Sequence, residues 1–211
     1  MRENLIQTGE VDEEGRTSIP YDWYPGFIPK NVSLGKNVYI DSSFGFAAFN
    51  SQNKVAMQMG HACSCYDRST FVTSGTGKIK IGDYSFVNGC TIICSDHITL
   101  GKYVMVAWGA VIYDNYLASD LNSKERSEIL SNNSMLENRE MPFSGSSPIT
   151  IEDNVWIGFD AVVKPGTTIG RGSIIGSKSV VSGIIPPYSV VVGNPGRIIK
   201  KLEPTDKNHK P

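Results

Sequence analysis

Aliphatic residues recur every six positions along the C-terminal third of the chain, in the series Ile151, Ile157, Val163, Ile169, Ile175 and Val181. Four positions after each stands a residue that is small or short in most cases: Val155, Ala161, Thr167, Ser173, Ser179 and then Ile185. Glycine directly follows three of the aliphatics, at Gly158, Gly170 and Gly176. An α-helix repeats at about 3.6 residues and a half-buried strand at about 2, so neither produces this spacing. Strands of a β-sandwich recur roughly every 8–12 residues and do not produce it either. A period of six fits a short strand plus a corner, and three such units make one triangular coil of a hexapeptide-type β-helix. The leading aliphatic of each unit then points into the prism and stacks on its equivalent in the next coil, roughly 4.8 Å away. Glycine and small residues suit the corners, where the backbone turns tightly.

The pattern extends upstream with interruptions. Leu34, Ile40 and Phe46 form one series; Met59, Cys65 and Phe71 follow; Ile81, Val87 and Ile93 form another, and Leu100, Val106 and Ile112 the next. The step from Ile93 to Leu100 is seven, which predicts one inserted residue at a corner near Asp96 and His97. Together the series predict about six coils and a prism about 29 Å tall. The expected fold is all-β: a left-handed parallel β-helix over residues 31–203, preceded by an irregular arm over 1–30 and followed by a disordered tail over 204–211. The arm, aromatic and rich in proline, is expected to pack on the first coil or on a neighbouring subunit. Residues 47–58 and 116–148 break the pattern and read as excursions. Within the longer one, LNSKERSEIL suits a short helix and the rest a loop. The run RIIKKL near the C-terminus is expected to form a short helix capping the open end of the prism.

Composition narrows the classes. Hydrophobic residues make up 40% and charged residues 19%, a balance that can bury a core. The net charge is -1, with no basic stripe for nucleic acid. No apolar run is long enough to span a bilayer, and the polar N-terminus lacks the apolar core of a signal peptide, so the expected compartment is the cytoplasm. Cys63, Cys65, Cys90 and Cys94 lack paired spacings and a suitably placed histidine; they read as buried free thiols, and no metal is expected.

The stretch from Ile149 to Leu202 contains NVWIG, KPGTTIG and VVGNPGRIIKKL. In this wording it resembles the hexapeptide-repeat sugar O-acetyltransferases of the galactoside and maltose acetyltransferase type. The likeness covers roughly residues 81–202, and residues 1–78 match poorly. It implies a homotrimer in which each active site lies between two prisms, with acetyl-CoA along the groove as acyl donor and a small sugar as acceptor. It places Asn88 near the thioester, Gly158 and Ser177 against the pantetheine arm, Ser182 on the same edge, and Arg197 and Lys200 at the nucleotide phosphates. It places Asp96 where a carboxylate holds the sugar. Trp156 reads as packing or subunit contact.

One departure bears on the chemistry. The family's general base is a histidine on the coil leading into the long loop, and here Leu117 or Ala118 takes its place. A positioned base contributes about 10²–10⁴-fold to rate. Of the three histidines, His209 lies in the tail, His61 at a corner of an earlier coil and His97 beside Asp96 at the inserted corner. His97 is the candidate base, with Asp114 expected one coil on as the group orienting its imidazole; the alternative is that His97 only turns the chain. Three functions follow. The first is acyl-CoA-dependent O-acetylation of a sugar in surface polysaccharide biosynthesis. The second is N-acetylation of a nucleotide-linked amino sugar, where an amine needs less help from a base. The third is a non-catalytic trimeric binding or scaffold protein.

Overall fold

The strands form where inward aliphatics alternate with outward polar groups. In Lys78–Ile81 the two isoleucines are buried and the two lysines exposed. The computed structural model describes residues 9–117, 121–137 and 143–204. The first coil holds β1 (Val32–Leu34), β2 (Tyr39–Ile40) and a single 3₁₀ turn at Ser43–Phe46. The second holds β3 (Met57–Met59), β4 (Ser64–Tyr66) and β5 (Thr70–Thr73); the third β6 (Lys78–Ile81), β7 (Phe86–Asn88) and β8 (Thr91–Cys94). The fourth holds β9 (His97–Leu100), β10 (Met105–Val106) and β11 (Val111–Tyr113). The chain then leaves through β12 (Asn115–Leu117), α1 (Ser123–Ser134) and β13 (Phe143–Ser146). It returns as β14 (Ile149–Ile151), β15 (Trp156–Ile157) and β16 (Val162–Val163), then β17 (Thr168–Ile169), β18 (Ile174–Ile175) and β19 (Val180–Val181). β20 (Ile184–Ile185), β21 (Ser189–Val192) and β22 (Arg197–Lys201) end the described chain.

The prism is left-handed and has three parallel faces. The first stacks β1, β3, β6, β9, β14, β17 and β20; the second β2, β4, β7, β10, β15, β18 and β21, with β22 at its edge; the third β5, β8, β11, β16 and β19. Two faces are thus seven levels deep, one more than the six coils expected, and six spacings between seven levels give roughly 29 Å. On the third face, Phe49 of the first excursion bridges Thr73 in parallel and supplies a level of its own. The predicted inward series holds downstream: Ile151 pairs with Leu100 and Ile169, and Ile157 with Val106 and Ile175. Ile151, Ile157, Val163, Ile169 and Ile175 are wholly buried. The corners turn through left-handed residues, among them Tyr84, Tyr103 and Asn154 with φ of 58–59°.

Two expectations need correction. Ile93 faces outward; Ile92 is the buried residue, aligned with Phe71 and Ile112. The step from Val87 to Ile92 is five, so the corner at Asn88–Cys90 is short and the next one correspondingly long. The C-terminal run forms no helix. Gly193–Gly196 reverses the chain, and Arg197–Lys201 pairs antiparallel with β21. A strand at the end of a stack offers unpaired backbone groups, and two adjacent isoleucines favour the extended form over a one-turn helix.

The arm packs at the base of the prism. Thr17 bridges both Val11 and Ile28, and Ile19 and Ile28 join the core. The expected helix in the long excursion is present as α1, closed by a capping box between Asn122 and Glu125. The four cysteines are free and buried, and burial pushes the Cys90 thiol up to about 12. The tail beyond Pro204 lies outside the described residues.

Candidate active site

The corner between the second and third faces is a track poor in side chains. Level by level it carries Tyr66, Asn88, Ala107, Gly158 and Gly176, as the pairings of β4, β7, β10, β15 and β18 dictate. Gly158 is a packing requirement, since a Cβ there would stand 2.7 Å from the Ser177 amide nitrogen of the next coil. Asn88 is 3% exposed, and its Oδ1 is buried with no hydrogen-bond donor among the described residues. A buried amide oxygen left unpaired is costly, and such atoms in native structures mark function or a bound group. At the upper end of this track stands β22 with exposed Arg197 and Lys200, opposite Val192 and Val190. One residue beyond the track on the third-face side, Trp108 and Phe159 project as half-exposed rings stacked at 5.5 Å and 7°.

The corner between the third and first faces is polar and built around Asp114. This carboxylate is fully buried. Its Oδ1 accepts from the Ser95 backbone N–H at 2.7 Å and its Oδ2 from the Asp96 N–H at 2.9 Å. The Cys94 thiol lies 3.4 Å from Oδ2; burial and then the neighbouring Asp114 charge push that thiol well up, so it stays an S–H donor. Asn115 Nδ2 donates to Ser95 Oγ at 3.1 Å, and Ser95 Oγ in turn meets Ser74 Oγ at 3.1 Å. Asp114 therefore clamps the corner that presents Asp96 and His97. Both of these are half-buried, and no hydrogen bond to the Asp96 carboxylate is found among the described residues. Thr99 Oγ1 lies 2.8 Å from His97 Nε2.

Residues 148–183 match the bacterial transferase hexapeptide (six repeats) family. The chain is built as a hexapeptide-repeat β-helix. Over 133 residues it is 35% identical to the galactoside O-acetyltransferase of Escherichia coli K12, covering 63% of this chain and 58% of that protein. The chain spans 27% to 58% of the length of curated relatives that it matches, among them putative acetyltransferases of Schizosaccharomyces pombe and Staphylococcus aureus. A hexapeptide-repeat acetyltransferase of Vibrio cholerae, solved with acetyl coenzyme A, is 29% identical with a TM-score of 0.55, over 69% of this chain and 71% of that one. An N-acyltransferase variant from Bacillus cereus, solved with dTDP-4-amino-4,6-dideoxyglucose and coenzyme A, shares the fold: 20% identity and a TM-score of 0.64, over 82% of this chain and 85% of that one.

The residues singled out from sequence fall on this hexapeptide-repeat β-helix in two groups. Asn88, Gly158 and Ser177 lie on the track corner, with Arg197 and Lys200 at its upper end. Asp96, His97 and Asp114 lie on the clamp corner. Asn88 and Asp96 are thus not neighbours within one chain; β8 runs between them, and four strand residues span on the order of 13 Å. Ser182 does not share an edge with Ser177, because β19 separates them and carries the chain to the other corner. Asp114 does not hydrogen-bond the imidazole: its oxygens are taken by Ser95, Asp96 and Cys94, while the ring meets Thr99. Leu117 closes β12, and Ala118 lies outside the described residues. Sequence reading missed the aromatic pair Trp108 and Phe159 and the Ser74–Ser95–Asn115 chain. The pair was findable, since 108 and 159 each stand two positions after an inward aliphatic.

Proposed function

We propose that this protein is an acyl-CoA-dependent transferase acting on a sugar acceptor in surface polysaccharide biosynthesis, acetyl-CoA being the simplest donor. The observation that supports this most is the track from Asn88 to β22. It rises four levels, about 19 Å, with almost no side chains in the way. An extended pantetheine arm has that kind of length and lies close to backbone. The buried Asn88 Oδ1 offers an acceptor at one end, and Arg197 and Lys200 offer phosphate partners at the other.

The two corners flank the third face, so one chain cannot bring its own Asp96–His97 to its own Asn88. A second copy can, and each copy then gives its track to one neighbour and its clamp corner to another. Such head-to-tail contacts close into a ring, and the triangular prism suits a ring of three. Exposed Met105 and Trp156 on the second face favour the same cover. Sedimentation at micromolar concentration is expected to give a trimer; a stable monomer removes the shared site.

In this site a sugar hydroxyl attacks the thioester carbonyl carbon. The C–O bond forms as the C–S bond breaks, the hydroxyl proton passes to His97, and the coenzyme leaves as a thiolate that takes up a proton. The Asp96 carboxylate holds the acceptor. An amino-sugar acceptor is the second reading: that same carboxylate lacks a partner among the described residues and can accept an N–H from the neutral amine that attacks. Calorimetry with acetyl-CoA, followed by thiol release with hydroxyl sugars and nucleotide-linked amino sugars, separates the readings. Binding with release is expected; binding without release on any acceptor supports a scaffold protein instead.

A further inference from the structure

Trp108 and Phe159 break the run of small residues beside the track, and they are held in a fixed pose. The indole Nε1–H donates to Asp67 Oδ2 at 2.6 Å. The ring lies over Gly89, where an added Cβ would stand 2.6 Å from Trp108 Cδ1. Phe159 stacks on it in parallel from the next coil, at 5.5 Å and 7°. Yet Trp108 is 46% and Phe159 45% exposed. A rigid aromatic wall that still shows half its surface is ready to bury something apolar without first losing side-chain freedom.

Its position says what. Gly89 directly follows Asn88, and Trp108 and Phe159 directly follow Ala107 and Gly158 on the track. Trp108 stands one level above Asn88 and its ring reaches down over Gly89 to Asp67, so it lies at the Asn88 end; Phe159, a level higher and midway to β22, stacks on it from above. An acyl-CoA laid along the track with its phosphates at β22 ends in its acyl group beside this wall. We propose that Trp108 and Phe159 form a seat for the acyl chain of the donor, and that the seat favours short straight chains longer than acetyl, such as butyryl. This rests on the acyl-CoA reading given above and adds to it the class of acyl group.

The wall carries no charge and its one polar atom, the indole nitrogen, is already bonded to Asp67, so it offers a methylene chain contact area and little else. Each fully buried methylene contributes about 0.8 kcal/mol, so the two extra methylenes of butyryl set a ceiling of about fifteenfold in affinity. A one-sided wall gives less, a severalfold preference.

The test is calorimetry of coenzyme A, acetyl-CoA and butyryl-CoA on the wild type and on Trp108→Ala, Phe159→Ala and Tyr103→Ala, with sedimentation of each. Tyr103 is a comparably exposed stacked ring on the remaining corner, and serves as the control. The wild type is expected to bind butyryl-CoA severalfold more tightly than acetyl-CoA. That ratio is expected to fall towards one in both track variants and to hold in Tyr103→Ala. A ratio near one in the wild type, or one unchanged in Trp108→Ala and Phe159→Ala, overturns the seat while leaving the acyl-CoA reading intact. Dissociation of the assembly with the ratio retained makes the wall a contact between copies instead. If the wild type binds none of the three, the acyl-CoA reading falls and the seat with it.

Discussion

Ile169→Ala is expected to destabilise the protein by about 2–5 kcal/mol in chemical denaturation, because it removes a fully buried aliphatic and leaves a cavity. Ile169 is wholly buried and stacked between Ile151 and Ile185, so its neighbours are fixed by hydrogen-bonded strands above and below. A coil cannot collapse into the gap without breaking those ladders. Arg171, two positions on, is exposed, and its backbone N–H donates to Glu152. Arg171→Ala keeps that backbone bond and should stay within about 0.5 kcal/mol of wild type. Equal losses from the two substitutions contradict the observed register, since a shift by one residue exchanges inward for outward positions.

The second large effect concerns His97. If it takes the acceptor's proton, His97→Ala should lower kcat by about 10²–10⁴-fold with acetyl-CoA affinity little changed. The ring sits on the outward side of β9, with one nitrogen at Thr99 Oγ1, so the other is the one available to an acceptor. Thr99→Val removes the hydroxyl that holds Nε2 and should lower kcat by less than His97→Ala does, by loosening the pose of the imidazole. Asp96→Asn, which keeps the shape and removes the charge, should raise KM for the acceptor more than it lowers kcat. Unchanged turnover in His97→Ala excludes it as the base, and leaves the Asp96 carboxylate as the group that meets the acceptor.

Much of this was readable before any coordinates. The series from Ile151 to Val181 keeps an unbroken step of six, so even where aliphatics are adjacent, as at Val162–Val163, Ile174–Ile175 and Val180–Val181, the period picks out the inward one. The upstream failure at Ile93 has a plain cause. Thr91–Cys94 contains two adjacent isoleucines, and residue type cannot say which faces in when the preceding corner is a residue short. RIIKKL misled for the opposite reason: its pattern is compatible with a helix, but the free edge of β21 decided the matter. Asp114 as a clamp was legible in principle. It stands 19 residues after Ser95, about one coil, so its contact with that corner follows from the coil length. The assignment of Ser177 and Ser182 to one edge overlooked the same arithmetic, since five residues carry the chain along a whole side. Which atoms Asp114 grips, and that Trp108 is pinned by Asp67 across 41 positions, needed the structure.

Both ends of the prism carry chain that does not follow the parallel stack: the arm with its Thr17–Ile28 bridge at the base, and β22 running against β21 at the top. A parallel coil is a repeating template, and nothing within the repeat tells it where to stop. An uncovered last coil would accept the first coil of another molecule as readily as its own next one, and the product would be a filament. β22 reverses direction at the point where such growth would begin, and the arm occupies the opposite terminus. The repeat supplies the rigidity of a fibre, and these two short irregular pieces keep it a discrete particle.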